Sequence, residues 1–374
     1  MSDRTRGNGK RRKKKGGNKV FRNIIIGVEA LVLVAVIVVL IYAFRATDEE
    51  TGVQKYDLPE NEIVTNIKED DPIVKEIKKT YTTLAFFGVD ARNGTLEKGT
   101  RTDTIIICSI DNQTGETRLC SIYRDTLLNI GTMEKPSYQK CNAAYAYGGP
   151  EKAINMINQN LDLFIEQFVT VGFDGVMNTI DAVNGVEINI APEEISHLNN
   201  YQKSMYSTEA QAVLTDDYTP VTEAGLQTLS GYQALAYCRI RATSGSDFKR
   251  TQRQRDVLTQ IVTRAKTMDP VKVSKICTDV FPYLATNMDL DKDIIPRASE
   301  VSKYEIVASE GFPFEDKRTS GLLGAKGDCV IPVDLESNVI ELHKFLYPDL
   351  EYTPTETVKK ISQDVKAEAA AYGK

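Results

Sequence analysis

Tryptophan is absent from this chain of 374 residues, and histidine occurs only twice, as His197 and His343. Without an HExxH pair, the common zinc-protease arrangement and any histidine-rich zinc site are excluded. A Ser-His-Asp triad would have to recruit one of these two, and both read more simply as ordinary surface or core residues. No Walker loop, GxSxG elbow, CxxC pair or dinucleotide fingerprint is present either. Acid–base chemistry is therefore expected from carboxylates. Cysteine is sparse at six. Cys108, Cys120 and Cys238 lie inside apolar runs, where a free thiol behaves as a small buried hydrophobe. A bridge between Cys108 and Cys120 across a hairpin is the other reading, within the limits of disulfide geometry.

What is present is unevenly distributed. The net charge of -6 averages unlike parts. Residues 1–23 hold ten basic residues against one acid. Residues 24–44, IIIGVEALVLVAVIVVLIYAF, carry a single charge, Glu29. As a helix this run would span about 31 Å, the hydrocarbon thickness of a bilayer. It exceeds a signal-peptide core and continues through bulky residues without a small-residue cleavage site. The expectation is an uncleaved membrane helix, with the basic flank (1–23) cytoplasmic and the acidic remainder outside the cell membrane. Beside such a helix, KRRKKK serves topology and anionic lipid, so no nucleic-acid partner is expected.

Residues 45–80 are polar and acidic and read as a stalk with a short helix at its end. From Tyr81, strands alternate with helices: TLAFFGVD, a hairpin of TDTIIICSID and TRLCSIYRD around DNQTGE, a helix near 150–160, then EQFVTVGF, DGVMNTIDAV and VEINI. This pattern predicts an α/β domain over 81–350, with a central mixed sheet flanked by helices. Residues 192–221 read as a long polar insertion. LSGYQALAYCRIR reads as a short helix running into a strand, followed by an amphipathic helix to about Lys266. The tail, 351–374, is charged and alanine-rich after Pro354 and reads as a frayed helix.

Three segments set arginine against carboxylate at strand ends. GVDARNGTLEKGTRTDTI carries Asp90, Arg101 and Asp103; two such carboxylates suit Mg²⁺, which keeps open positions for water and phosphate. The plain alternative is that these acids cap turns or pair with neighbouring arginines. CSIYRDTLLNI carries Arg124, and KCNAAYAYGG follows with Lys140 before a small-residue run. YCRIRATSGSDFKRTQRQRD packs six basic residues into a short stretch, among them Arg239, Arg241 and Arg250. If the first part is a strand, Arg239 and Arg241 share a face. Asp247 or its neighbour Ser246 can cap the helix that follows, and Arg250 and Gln254 are one turn apart on it. Converging arginines at a helix start form an anion site. Pyrophosphate is the simplest ligand that fits.

In GVDAR, RTDTI, SIYRDT, KCNAAYAYGG and ALAYCRIR followed by SDFKRTQRQRD, the sequence resembles the LytR-CpsA-Psr family of bacterial cell-envelope proteins. The motifs occur in the family order. The resemblance implies transfer of a glycopolymer (teichoic acid, capsule or another wall polysaccharide) from a polyprenyl-pyrophosphate donor to the C6 hydroxyl of N-acetylmuramic acid in peptidoglycan, forming a phosphodiester. It implies Mg²⁺ on Asp90 and Asp103. Arg101, Arg124, Arg239, Arg241, Arg250 and Gln254, with Lys140, would bind pyrophosphate. Asp103, Arg101 and Arg241 count among the catalytic residues, with Asp90 the first choice of base and Asp247 the second. The lipid would occupy an apolar tunnel between sheet and helices. Tyr123 departs from the proline frequent in the family's SIPRDT form, so the turn presenting Arg124 loses a fixed φ. A lipid-pyrophosphate phosphohydrolase and a non-enzymatic membrane-tethered regulator are the competing readings.

Overall fold

A computed structural model of the chain describes residues 54–55, 63–89, 96, 99–206, 218–241, 246–268, 283–288 and 305–374. The expected membrane run 24–44, Asp90 and Cys277 lie outside the described residues. Among the described residues, no helix is long and apolar enough to cross a membrane.

The core of the fold is a seven-stranded mixed sheet. Its central strand, Tyr81–Val89 (β2), pairs on one side with an antiparallel hairpin of Thr102–Asp111 (β3) and Glu116–Ile122 (β4). The DNQTGE turn forms as expected, because the Asp111 carboxylate accepts from the backbone N–H groups of Gln113 and Thr114 at 2.8 Å each. Gln167–Val171 (β7) runs parallel to β2, and Glu305–Phe312 (β11) runs parallel to β4. Leu284–Thr286 and Gln54–Lys55 extend the far edge. In the hairpin register Cys120 pairs with Ile107 and Cys108 with Leu119, so the two thiols do not face each other. Both are free and buried; the bridge reading is not supported.

Strand alternation divides the sheet into two faces. On one face Phe87, Ile105, Ile107 and Phe168 join the largest core cluster. They pack under the helices Ala143–Leu161 (α2), Leu335–Leu346 (α7) and Glu356–Ala370 (α8). Each such fully buried side chain contributes roughly 1.5–3 kcal/mol. The helical path of α2 breaks at Gly148 and Gly149, the latter at φ 66°, and Pro150 then opens the second segment. The other face lies under Phe173–Ala182 (α3), Gly231–Cys238 (α5) and Ser246–Lys266 (α6). A second cluster there joins Ile180, Leu198, Tyr237, Val257 and Ile261.

Two expectations need correction for the same reason: the buried apolar residues are too sparse among polar ones to stand out. The supposed insertion begins as a helix, Pro192–Tyr206 (α4), with Leu198 buried. The tail forms the expected helix, α8, but it is docked rather than frayed: its Val358, Ile361, Val365 and Ala369 are buried in the main core. The helix at the end of the expected stalk, Pro72–Thr80 (α1), buries Val74 and Ile77.

Candidate functional site

The site is built on an irregularity between β2 and β3. Gly88 pairs with Thr104 and Val89 with Thr102, which leaves Asp103 as the extra residue of a bulge. A bulge re-aims the side chain it carries. Here it presents the Asp103 carboxylate to arginines from three other segments. Arg124 Nη1 donates to Asp103 Oδ1 at 2.5 Å. Arg241 and Arg250 approach the same oxygen at 3.9 and 3.8 Å. Arg250 Nη2 also donates to the Asp103 carbonyl at 3.2 Å. Arg250 is among the largest fully buried side chains of the molecule.

Arg124 is held from both sides. Its Nε lies 3.4 Å from Asp125, and Asp125 is paired in turn with Lys140 at 3.1 Å. The Arg124 carbonyl accepts from the Asn142 N–H at 3.1 Å and from the Cys141 thiol at 3.3 Å. The KCN triplet therefore fixes the turn that carries Arg124. Lys140 does not line the pocket, against expectation, because Asp125 takes its ammonium.

Arg101, Arg124, Arg239, Arg241 and Arg250 all line one polar pocket of about 490 Å³, together with Asp103 and Tyr201. Arg239 and Arg241 do not reach it from a strand. The helix α5 ends at Cys238, Arg239 adopts helical angles as its C-cap, and Arg241 follows Ile240 in irregular chain. The strand expectation fails because a capping box starts a helix at Ser230, with Gln233 reciprocating, and the helix runs up to the arginines. Behind them the buried Arg253 donates from Nη1 to the Ile240 carbonyl at 3.0 Å and from Nε to Glu194 of α4 at 2.8 Å.

Next to the polar pocket lies an apolar cavity of about 200 Å³ between the sheet and the helices α3, α5 and α6. Phe86, Ile106, Val169, Val176, Leu235 and Val257 are among its walls. Asp103 and Arg239 line both spaces. Gln254 lies on the cavity side, where its Oε1 accepts from Thr104 Oγ1 at 3.1 Å. Asp247 starts α6, one residue inside it, and its side chain is not described. The Cys238 thiol, which lines the cavity, is held protonated: burial pushes it up to about 12. A buried protonated thiol packs as a small apolar side chain.

A model of the LytR_cpsA_psr family matches residues 42–325, more than half of the chain. The chain belongs to the LytR-CpsA-Psr family. It is similar to the polyisoprenyl-teichoic acid–peptidoglycan teichoic acid transferase TagT of Bacillus subtilis (strain 168), at 27% identity over 312 residues, covering 82% of this chain and 90% of that one. The fold matches a crystal structure of B. subtilis TagT with a TM-score of 0.56 at 22% identity, over 79% of this chain and 99% of that one. It also matches a TagT structure with bound octaprenyl pyrophosphate, with a TM-score of 0.52 at 22% identity, over 76% of this chain and 95% of that one.

Tyr123, where this LytR-CpsA-Psr chain departs from proline, does not leave its turn loose. Its N–H donates to the Phe312 carbonyl at 3.0 Å, a bond that proline cannot make. Its ring meets Phe248 edge-on at 4.7 Å, and the Arg318 guanidinium lies over it at 5.0 Å. The aromatic and cationic contacts here and around Arg239 join residues far apart in the chain. No local spacing marks them.

Proposed function

We propose that this protein transfers a glycopolymer from a polyprenyl-pyrophosphate donor to peptidoglycan; its relatives TagT and TagV of Bacillus subtilis are named polyisoprenyl-teichoic acid–peptidoglycan teichoic acid transferases. The observation that carries the proposal is the junction: five arginines line a polar pocket that shares Asp103 and Arg239 with an apolar cavity. A pyrophosphate with a hydrocarbon tail matches both halves. Guanidinium groups suit its oxygens, and the cavity walls suit a prenyl chain. At 44% side-chain exposure, Arg241 is accessible to a ligand, whereas Arg250 is fixed from within.

The chemistry follows from positioning and charge. The acceptor is the C6 hydroxyl of N-acetylmuramic acid. Its oxygen bonds to the phosphorus that carries the saccharide. The bond from that phosphorus to the bridging oxygen breaks, and polyprenyl phosphate leaves. The hydroxyl proton passes to a carboxylate, with Asp90 the first candidate and Asp247 the second. The arginines neutralise charge on the leaving phosphate. The product is a phosphodiester.

Mg²⁺ belongs to the same proposal. Asp103 Oδ1 is committed to arginine, but among the described residues no hydrogen bond reaches Asp103 Oδ2. One free carboxylate oxygen, with pyrophosphate oxygens and water, is a usual way to hold this ion; Asp103 and Asp90 would be its protein ligands. Bound there, it would neutralise charge on the pyrophosphate. The run 24–44 and its basic flank support an anchored protein with its catalytic domain outside the cell membrane. The full-length chain, incubated with a polyprenyl-pyrophosphate saccharide and peptidoglycan fragments, is expected to leave covalent sugar phosphate on muramic acid. Free phosphorylated saccharide as the sole product would indicate hydrolysis instead. Lipid binding without turnover would leave a carrier or sensor.

A further inference from the structure

The arginines of the pocket are oriented in two different ways. Arg124, Arg241 and Arg250 converge on the Asp103 carboxylate. Among the described residues, no carboxylate pairs with Arg239. Its guanidinium carbon instead lies 5.3 Å from the ring centroid of Phe173 and 5.9 Å from that of Tyr201. Ring faces attract a guanidinium without using its N–H donors. A carboxylate would consume two of them. Arg239 is also the arginine that lines both the polar pocket and the apolar cavity, where a charged head and a hydrocarbon tail would meet.

The two rings come from rigid supports. Phe173 opens α3 directly after β7. Tyr201 sits on α4, which is tied down on both sides of it. Glu194 bonds the buried Arg253 at 2.8 Å, and the Gln202 carbonyl accepts from Tyr232 of α5 at 2.8 Å. Arg253 in turn holds the Ile240 carbonyl, the residue between the two pocket arginines. Thus α4 contributes a fixed aromatic wall to the pocket.

We propose that Tyr201 and Phe173 are positioning residues for Arg239, holding its guanidinium at the junction of pocket and cavity with its donors kept for a pyrophosphate oxygen. The inference rests on the donor reading above. It concerns how the arginine is presented, and it requires no contact between Tyr201 and the ligand.

The test is a double-mutant cycle on the full-length chain, with octaprenyl pyrophosphate as the probe. This lipid carries no sugar, so a loss of affinity cannot come from saccharide stacking on Tyr201. Tyr201→Ala is expected to weaken binding about 3- to 30-fold, the range of a cation–π contact. Tyr201→Phe, which keeps the ring, is expected to restore it. In an Arg239→Ala background, Tyr201→Ala is expected to add less than about 2-fold, because the partner is already gone. Thermal unfolding of each variant reports folding separately. An equal loss in both backgrounds, or no loss with Tyr201→Ala in the wild-type background, would overturn the proposal. If the wild-type chain does not retain octaprenyl pyrophosphate, the donor reading fails first, and this inference falls with it.

Discussion

The two faces of the sheet are made from the same strands yet do opposite things. Toward α2, α7 and α8 the strands offer Phe87, Ile105, Ile107 and Phe168, which are closed over completely. Toward α3, α5 and α6 the alternate residues, such as Phe86, Gly88, Thr104 and Ile106, border open space. A filled face supplies stability, and an unfilled one gives up some packing to leave room. The bulge at Asp103 lies at the end of this open face and converts it from apolar cavity to arginine pocket. Stability and function are thus separated across one sheet, so changes to each face should report differently.

The closed face should show the largest effects, and they should be on stability. Phe87→Ala removes a fully buried ring that meets Tyr145 and Phe168. It is expected to cost about 3–5 kcal/mol in a urea unfolding titration, with whatever remains folded still binding lipid. Acid should act on the same face. His343 is buried, stacked 3.5 Å from Tyr352, and its Nε2–H donates to the Leu161 carbonyl at 2.9 Å. Burial lowers its pKa from 6.5 to about 4. The unfolded chain then binds the extra proton, so this contribution is complete above pH 6.5 and is lost as pH falls toward 4, by about 3 kcal/mol. Unfolding midpoints at pH 7.5 and 4.5 should differ less in His343→Gln than in the wild type.

The open face should show smaller effects, on binding and transfer. Arg241→Ala removes an accessible charge and is expected to reduce polymer attachment about 10- to 100-fold with an unchanged melting temperature. A lowered melting temperature there would blur the separation of the two faces. Val171→Phe fills part of the cavity and is expected to weaken octaprenyl pyrophosphate binding several-fold, with no loss of thermal stability.

Much of this is legible in the amino-acid sequence alone. The five pocket arginines, Asp103, the hairpin and the helix from Phe248 to Lys266 follow from motifs whose residues are near one another in the chain. What escapes is long-range or depends on a local choice between alternatives. The capping box at Ser230 and Gln233 turns an expected strand approach into a helix end. Lys140 is a plausible phosphate ligand by charge alone, but the strand pairing of Leu127 with Lys140 sets it near Asp125. Helix α4 and the docking of α8 into the core are hidden because polar and charged residues outnumber the few apolar ones these helices bury. The aromatic support of Arg239 joins positions 173, 201 and 239, which no spacing rule connects.

The most direct measurement is a crystal structure of this chain with octaprenyl pyrophosphate. The account predicts both phosphates among Arg101, Arg124, Arg239, Arg241 and Arg250, with the prenyl chain running between the sheet and α3, α5 and α6. A head group bound elsewhere, or a prenyl chain outside the cavity beside Ile106 and Val169, would contradict it.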